Sequence, residues 1–136
     1  MAQTNEPLLS VKGLKQYFPV SKKFTVRAVD NISFDIYPGE TYGLVGESGS
    51  GKSTTGRSII RLYDPTEGTI LFNGEDISKK LTAKQEKMLR SDMQMVFQDP
   101  MASLNPHKKI LDTIAMGLDA HHPHMDQKER VERVSK

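Results

Sequence analysis

The chain has 136 residues, a length that suits one domain, and 36% of them are hydrophobic, enough for a modest core. Nineteen basic residues against seventeen acidic ones give a net charge of +2 spread along the sequence, which offers no electrostatic footprint for nucleic acid. Cysteine is absent, which excludes disulfides and thiolate metal sites and fits an intracellular address; the start, "MAQTNEPLLSVKGLK", has no leader pattern, and no window approaches the ~20 apolar residues of a membrane span.

Residues 8–18, "LLSVKGLKQYF", read as a strand with mixed faces. The polar stretch that follows contains a second short strand around 24–28. In "ISFDIY", Ile32, Phe34 and Ile36 alternate with polar partners, the period of a half-buried strand. Pro38-Gly39 is a turn. "YGLV" is a short apolar run that reads as a buried strand, and a glycine-rich loop follows it directly. The next helix is expected from Lys52 to Tyr63, ending before Asp64-Pro65 because a residue preceding proline resists helical geometry. "TILFNGEDI" centres on Asn73-Gly74, a hairpin signal. Residues 82–91 read as helix and "MQMVF" as a further strand, closed by the proline-punctuated loop "QDPMASLNP". "KKILDTIAMGL" places Ile110, Leu111, Ile114 and Leu118 on one helical face. Asp126-x-x-Glu129 resembles a capping box opening a last helix. Strands come first and helices last, so the fold class is α/β.

The loop Gly46, Glu47, Ser48, Gly49, Ser50, Gly51, Lys52, Ser53 fits G-x-x-x-x-G-K-S/T, the Walker A pattern. Phosphate oxygens need many donors at close range, and a tightly curled backbone supplies its N–H groups as those donors. The helix beginning near Lys52 adds unsatisfied N–H groups and the positive end of its dipole. Lys52 is expected to reach the β- and γ-phosphates, Ser53 to ligate Mg²⁺ and Thr54 to meet the α-phosphate. A random chain of this length matches the pattern roughly once in 200. The strand-before, helix-after context favours a phosphate site over chance.

Other features carry less. His121, His122 and His124, interrupted by Pro123, read as a solvated loop, and His107 likewise. Met88, Met93, Met95 and Met101 read as core filler. Among phosphate-loop proteins, the guanine-reading N-K-x-D segment does not occur. A small kinase needs an acidic residue ending an apolar strand. Asp99, after "MQMVFQ", fits that poorly.

The segment "AVDNISFDIYPGETYGLVGESGSGKST" resembles the start of an ABC-transporter ATPase, and "DPTEGTILFNGEDIS" the hairpin that follows in that family. "MVFQDPMASLNP" is similar to the Q-loop of the ATPases of oligopeptide and dipeptide permeases. "GKSTTGRSIIRLYDPTEG" and "YFPV" are closest in kind to the second of the paired ATPase subunits of oligopeptide importers. The resemblance runs from about Leu8 to the last residue. It implies an ABC-type P-loop fold: an antiparallel β subdomain, the P-loop strand and helix, the Q-loop, and the start of a helical subdomain. It further implies ATP and Mg²⁺ as cofactors, Gln98 as the Q-loop glutamine near the metal, and Phe18, or Tyr17 beside it, as the ring that stacks on adenine. Implied partners are transmembrane permease subunits, a paired ATPase subunit and, indirectly, an extracytoplasmic peptide-binding protein. The implied location is cytoplasmic, on the inner face of the membrane.

The family's L-S-G-G-Q signature, its aliphatic strand ending in Asp-Glu, its D-loop and its switch histidine do not occur in residues 1–136. They are expected beyond Lys136, together with strands that flank the P-loop strand. Residues 1–136 are therefore expected to form part of such a domain, able to hold the nucleotide but not to complete catalysis, with Gln98 the one catalytic contributor. The alternative is a non-catalytic nucleotide-binding module that docks on a permease.

Overall fold

The computed structural model describes residues 6–99, 104–122 and 124–135. The chain divides into two compact units, Met1–Met95 and Val96–Lys136. The first is built on two long strands, β1 (Leu9–Ser21) and β2 (Phe24–Ile36), followed by helix α1 (Lys52–Ile59), strands β3 (Glu67–Phe72) and β4 (Glu75–Asp76), and helix α2 (Ala83–Asp92). The second carries helices α3 (Ile110–His121) and α4 (Gln127–Val134).

The four strands form one antiparallel sheet in the order β2-β1-β3-β4. The two strands expected at 24–28 and 32–36 are one continuous β2, which passes through a positive φ of 58° at Asn31. The Asn73-Gly74 hairpin joins β3 to β4 as expected, with φ values of 51° and 78°. Val11, Leu14, Ile70 and Ile77 are fully buried and, with Leu9, Val29, Phe72 and Leu89, form the core. Met88 and Met93 pack against it, while Met101 lies outside the described residues.

Two expected strands are absent. Residues 41–47 form no strand, and Leu44 and Val45 are 46% and 94% exposed rather than buried. Residues 93–97 form none either, and Val96 is 96% exposed. An apolar run becomes a strand only where a neighbouring strand accepts its N–H and C=O groups. Among the described residues neither run has such a neighbour. Tyr42 still anchors its run, stacking on Phe34 of β2 with ring centroids 5.0 Å apart. The turn before it holds as expected: Glu40 closes it by donating its N–H to the Tyr37 carbonyl and accepting the Tyr37 N–H at its carboxylate.

Helix α1 stops four residues before the expected end. Arg61 adopts φ 61°, the Leu62 N–H turns back to the Arg57 carbonyl and the Arg61 N–H to that of Ser58. This is a Schellman closure with arginine where glycine is usual. The Arg61 side chain, only 4% exposed, donates to the carbonyls of Ile77 and Ser78, both at 2.7 Å, and of Lys79 at 3.2 Å. A further donor meets the Asp64 carboxylate at 2.7 Å, while the buried Nε–H has no partner among the described residues. The contacts that arginine makes with the segment after β4 outweigh the strain of its backbone, roughly 1–2 kcal/mol. Helix α2 begins at a full capping box, with the Gln85 N–H donated to Thr82 Oγ1 and the Thr82 N–H to Gln85 Oε1.

In the second unit, Asp126 caps α4 by accepting the Glu129 N–H at 2.8 Å. The Glu129 carboxylate turns instead to Arg133, also at 2.8 Å. The buried face of α3 differs from the expected one: Ala115 is fully buried, with Leu111 and Leu118 half-buried, whereas Ile110 and Ile114 are 79% and 54% exposed. Arg130 of α4 decides this orientation. It grips Asp119 through two hydrogen bonds of 2.9 and 3.0 Å and reaches Asp112 at 3.2 Å. The seven-residue spacing of those two aspartates puts them on the same side of α3, beside Ala115 rather than Ile114.

Two outcomes follow from these ties. Arg61→Ala should destabilise the first unit by about 2–3 kcal/mol in urea denaturation, since charged hydrogen bonds to carbonyls are lost; Arg61→Gly should recover about 1 kcal/mol of that through its backbone. The hydrogen bonds from Arg130 hold the Asp119 carboxyl below the ordinary carboxylate range. Its contribution is therefore complete above the unfolded value of about 4 and disappears as the pH falls through the depressed folded value. The protection factors of the α4 amides, taken relative to the intrinsic exchange rate at each pH and followed by NMR, should fall below about pH 4 and already be low at neutral pH in Arg130→Ala.

Candidate functional site

The loop over residues 46–51 has no regular secondary structure, yet its path is constrained at several points. The Ser50 N–H donates to the Glu47 carbonyl at 3.2 Å, closing a turn. Gly51 takes φ 93° and serves as the N-cap of α1, with no side chain capping the helix and no acidic residue in its first turn. The first N–H groups of α1 are thus left facing outward with no anionic partner of their own.

Gly51 lies against β2. A Cβ at this position would stand 2.2 Å from the Ala28 carbonyl oxygen, far inside any contact distance. Glycine is required both for this approach and for the positive φ. Behind the loop, Thr55 and Ser58 of α1 are buried. The Ser58 hydroxyl sits 3.2 Å from Gln16 Oε1 of β1 and 2.9 Å from the Thr54 carbonyl, which locks the helix to the sheet. Met95 packs near Gly56, where a Cβ would meet its methyl at 3.1 Å.

Lys52 folds back over the loop it follows. Its Nζ donates to the carbonyls of Gly46 at 2.8 Å and Glu47 at 2.5 Å, and to Ser50 Oγ at 3.2 Å. An ammonium group is thereby held in the curl of the loop by neutral acceptors, and none of these contacts neutralises its charge. A cleft of about 420 Å³ opens at this point, lined by Val26, Arg27 and Ala28 of β2 and by residues 49–54. Six consecutive residues expected to act on phosphate, Gly49, Ser50, Gly51, Lys52, Ser53 and Thr54, line one space. Gly46, Glu47 and Ser48 complete the exposed curl, the first two through their carbonyls on Lys52.

The wall formed by Val26, Arg27 and Ala28 was not anticipated. No local pattern marks it, because these residues lie eighteen to twenty positions before the loop and meet it only through the packing of Gly51 on Ala28.

The two candidate stacking rings are placed differently. Phe18 pairs directly with Val26, a cleft residue, and its ring meets that of Tyr63 edge-on at 5.2 Å. Tyr17 pairs with Arg27, whose guanidinium lies 5.4 Å from the centre of the Tyr17 ring. The Tyr17 hydroxyl donates to Asp30 Oδ1 at 2.5 Å, a bond that pushes the phenol's proton affinity up and keeps it a donor. Gln98 and Asp99 belong to the second unit, where both are exposed in a segment without regular structure. His121, His122 and His124 are exposed and line an open cleft of that unit with Met125, Glu129 and Arg133. Among the described residues no helix is long and apolar enough to cross a membrane.

A curled glycine loop that holds a lysine at the start of a helix, beside an antiparallel sheet, is the arrangement of a P-loop ATPase. The ABC transporter family matches residues 29–136, and the chain belongs to that family. It is 57% identical over 129 residues to the oligopeptide transport ATP-binding protein OppF of Bacillus subtilis, covering 95% of this chain and 42% of that protein. It is 47% identical to the dipeptide transport ATP-binding protein DppF of Lactococcus lactis subsp. cremoris, covering 93% and 41%. The chain thus spans less than half the length of these relatives. Among solved structures it is similar to a dimeric post-hydrolysis state of an ATP-binding cassette bound to ADP and Pi. The TM-score there is 0.80 at 26% identity, over 93% of this chain and 54% of the other. The fold is that of the first part of an ABC cassette.

Gly51→Ala should be among the most damaging substitutions in the loop. The new Cβ must displace either the loop or β2, and strain of this kind costs about 1–3 kcal/mol before any repacking. Native-state hydrogen exchange should show the α1 amides opening first, with those of α2 little changed.

Proposed function

We propose that the chain binds Mg²⁺-ATP through residues 46–54. We further propose that residues 1–136 are part of the ABC-type nucleotide-binding domain of an ATPase subunit that powers oligopeptide or dipeptide uptake. The observation that carries this reading is the Lys52 ammonium, held inside the curl by neutral acceptors alone, at the mouth of a cleft that also receives the uncapped start of α1. A polyphosphate supplies the negative charge that this arrangement lacks.

The donor set suits the ligand. The loop N–H groups and Lys52 take the β- and γ-phosphates, and Thr54 takes the α-phosphate. The Ser53 hydroxyl, exposed at the cleft, is a hard oxygen ligand of the kind Mg²⁺ prefers, with Gln98 as a second contributor. The metal would neutralise phosphate charge. Of the two rings, Phe18 is favoured for the base: each stands opposite a cleft residue, but the Tyr17 ring is covered by the Arg27 guanidinium and its hydroxyl is bound to Asp30. Stacking on a ring accepts any purine, because each has a π-face.

The peptide-import assignment rests on the relatives' names and on their identity to this chain. It carries with it the transmembrane permease subunits, a paired ATPase subunit, a cytoplasmic position at the membrane and, indirectly, an extracytoplasmic peptide-binding protein. Hydrolysis in this family needs a signature motif and a carboxylate base, and residues 1–136 contain neither an L-S-G-G-Q segment nor an aliphatic run ending in Asp-Glu. The chain as it stands should bind ATP without turning it over.

Isothermal calorimetry tests the binding. GTP should bind within about tenfold of ATP, a difference of about 1.4 kcal/mol, and Lys52→Ala should abolish measurable affinity. Unchanged binding in that variant would overturn the reading. Phosphate release at saturating Mg²⁺-ATP should match the Lys52→Ala background. Each missing donor or base is worth about 10²–10⁴ in rate. A rate dependent on Lys52 would point to Asp99 or Glu47 as a base and to kinase-like chemistry.

A further inference from the structure

Between β1 and β2 the ladder is regular only in short pieces. Register shifts fall between Leu14 and Gln16, between Gln16 and Tyr17, and between Pro19 and Ser21. Residues 17–19 form an isolated three-residue segment, paired with Arg27, Val26 and Thr25 in turn. In such a segment the long ladder does not dictate which side chains face which way, and a slip of one residue exchanges the two faces. Here that slip would exchange Phe18, opposite the cleft residue Val26, for Tyr17. Proline at position 19 contributes no N–H to hold the register.

What holds it is a set of side-chain contacts outside the ladder. The Tyr17 hydroxyl donates to Asp30 at 2.5 Å, Arg27 covers the Tyr17 ring at 5.4 Å, and Arg27 itself lies 3.9 Å from Asp30. These three contacts close a triangle across both strands that occupies both the ring and the hydroxyl of Tyr17 and leaves Phe18, opposite Val26, as the uncommitted ring. We propose that Tyr17, Arg27 and Asp30 form a register lock whose role is to present Phe18 to the nucleotide base. Tyr17 and Asp30 are thus positioning residues for base stacking, although neither touches the nucleotide. The inference rests on the reading of residues 46–54 as the phosphate site and of Phe18 as the stacking ring.

The test compares Mg²⁺-ATP with inorganic tripolyphosphate, which fills the phosphate loop and has no base. In the full chain, Asp30→Ala should weaken ATP binding about tenfold, the smaller end of what one stacked base contributes, and leave tripolyphosphate binding unchanged. Tyr17→Phe, which keeps the ring and removes only the donor, should show the same selective loss in milder form. Asp30→Asn keeps an acceptor for the Tyr17 hydroxyl and should restore ATP affinity to within about twofold of the parent. The chain contains no tryptophan, so Phe18→Trp introduces a single reporter. Its fluorescence should respond to ATP in the parent background and lose that response with Asp30→Ala. Equal weakening of both ligands would mean that the lock is merely structural and would overturn the proposal, as would ATP affinity indifferent to Asp30 and Tyr17. If neither ligand bound the parent chain, the phosphate-site reading itself would fall.

Discussion

The contact between Gly51 and the Ala28 carbonyl is the constraint on which the site depends. A phosphate loop needs a fixed path, because its donors act only if their directions are set before the ligand arrives. The loop itself holds little structure, with one turn bond and the Lys52 contacts. Its path is therefore imposed from outside. On one side β2 sets the position of Gly51 to within a van der Waals radius, and on the other α1 carries the chain away along a line fixed by the contact of Ser58 with Gln16.

The far end of α1 is held with similar care. The closure at Arg61 ends the helix, and its side chain fastens that end to the three carbonyls at 77–79, just after the small hairpin. Helix α1 is thus pinned at both ends and along its length to one antiparallel sheet. This arrangement suits a helix whose N-terminus must stay aligned with a polyanion. The start of α1 differs from the others: Thr82 caps α2 and Asp126 caps α4, and α3, also without a side-chain cap, has Asp112 in its first turn, whereas α1 has neither a cap nor an acidic residue there.

The β1–β2 pair treats its two neighbouring rings differently. Phe18 stands opposite Val26 and meets Tyr63 edge-on, whereas Tyr17 stands opposite Arg27, which covers its ring, and bonds to Asp30 through its hydroxyl. The second unit is a pair of short helices joined through Arg130, and the aspartate spacing rather than the apolar pattern orients α3. Hydrophobic periodicity alone grouped Ile110, Leu111, Ile114 and Leu118, of which only the two leucines are partly buried. A charged side chain gripping two partners sets a direction that apolar contact, which has none, leaves free.

Several features were legible in the amino-acid sequence because their causes are local. The glycines, Lys52 and Ser53 meet through a few bonds of backbone, and so do the Asn73-Gly74 turn and the Thr82-to-Gln85 box. Hence spacing alone marked the Walker A pattern, while the resemblance of longer segments pointed to the ABC family. Other features were settled only by tertiary structure. Whether "YGLV" is a strand depends on a partner for its backbone, and among the described residues it has none. Which of Phe18 and Tyr17 stands opposite Val26 and which opposite Arg27 depends on the register against β2, which a single step reverses. The wall of Val26, Arg27 and Ala28 exists only because Gly51 packs against it. Each of these depends on hydrogen bonds or close contacts between segments distant in the chain, whose alignment no contiguous stretch of residues encodes.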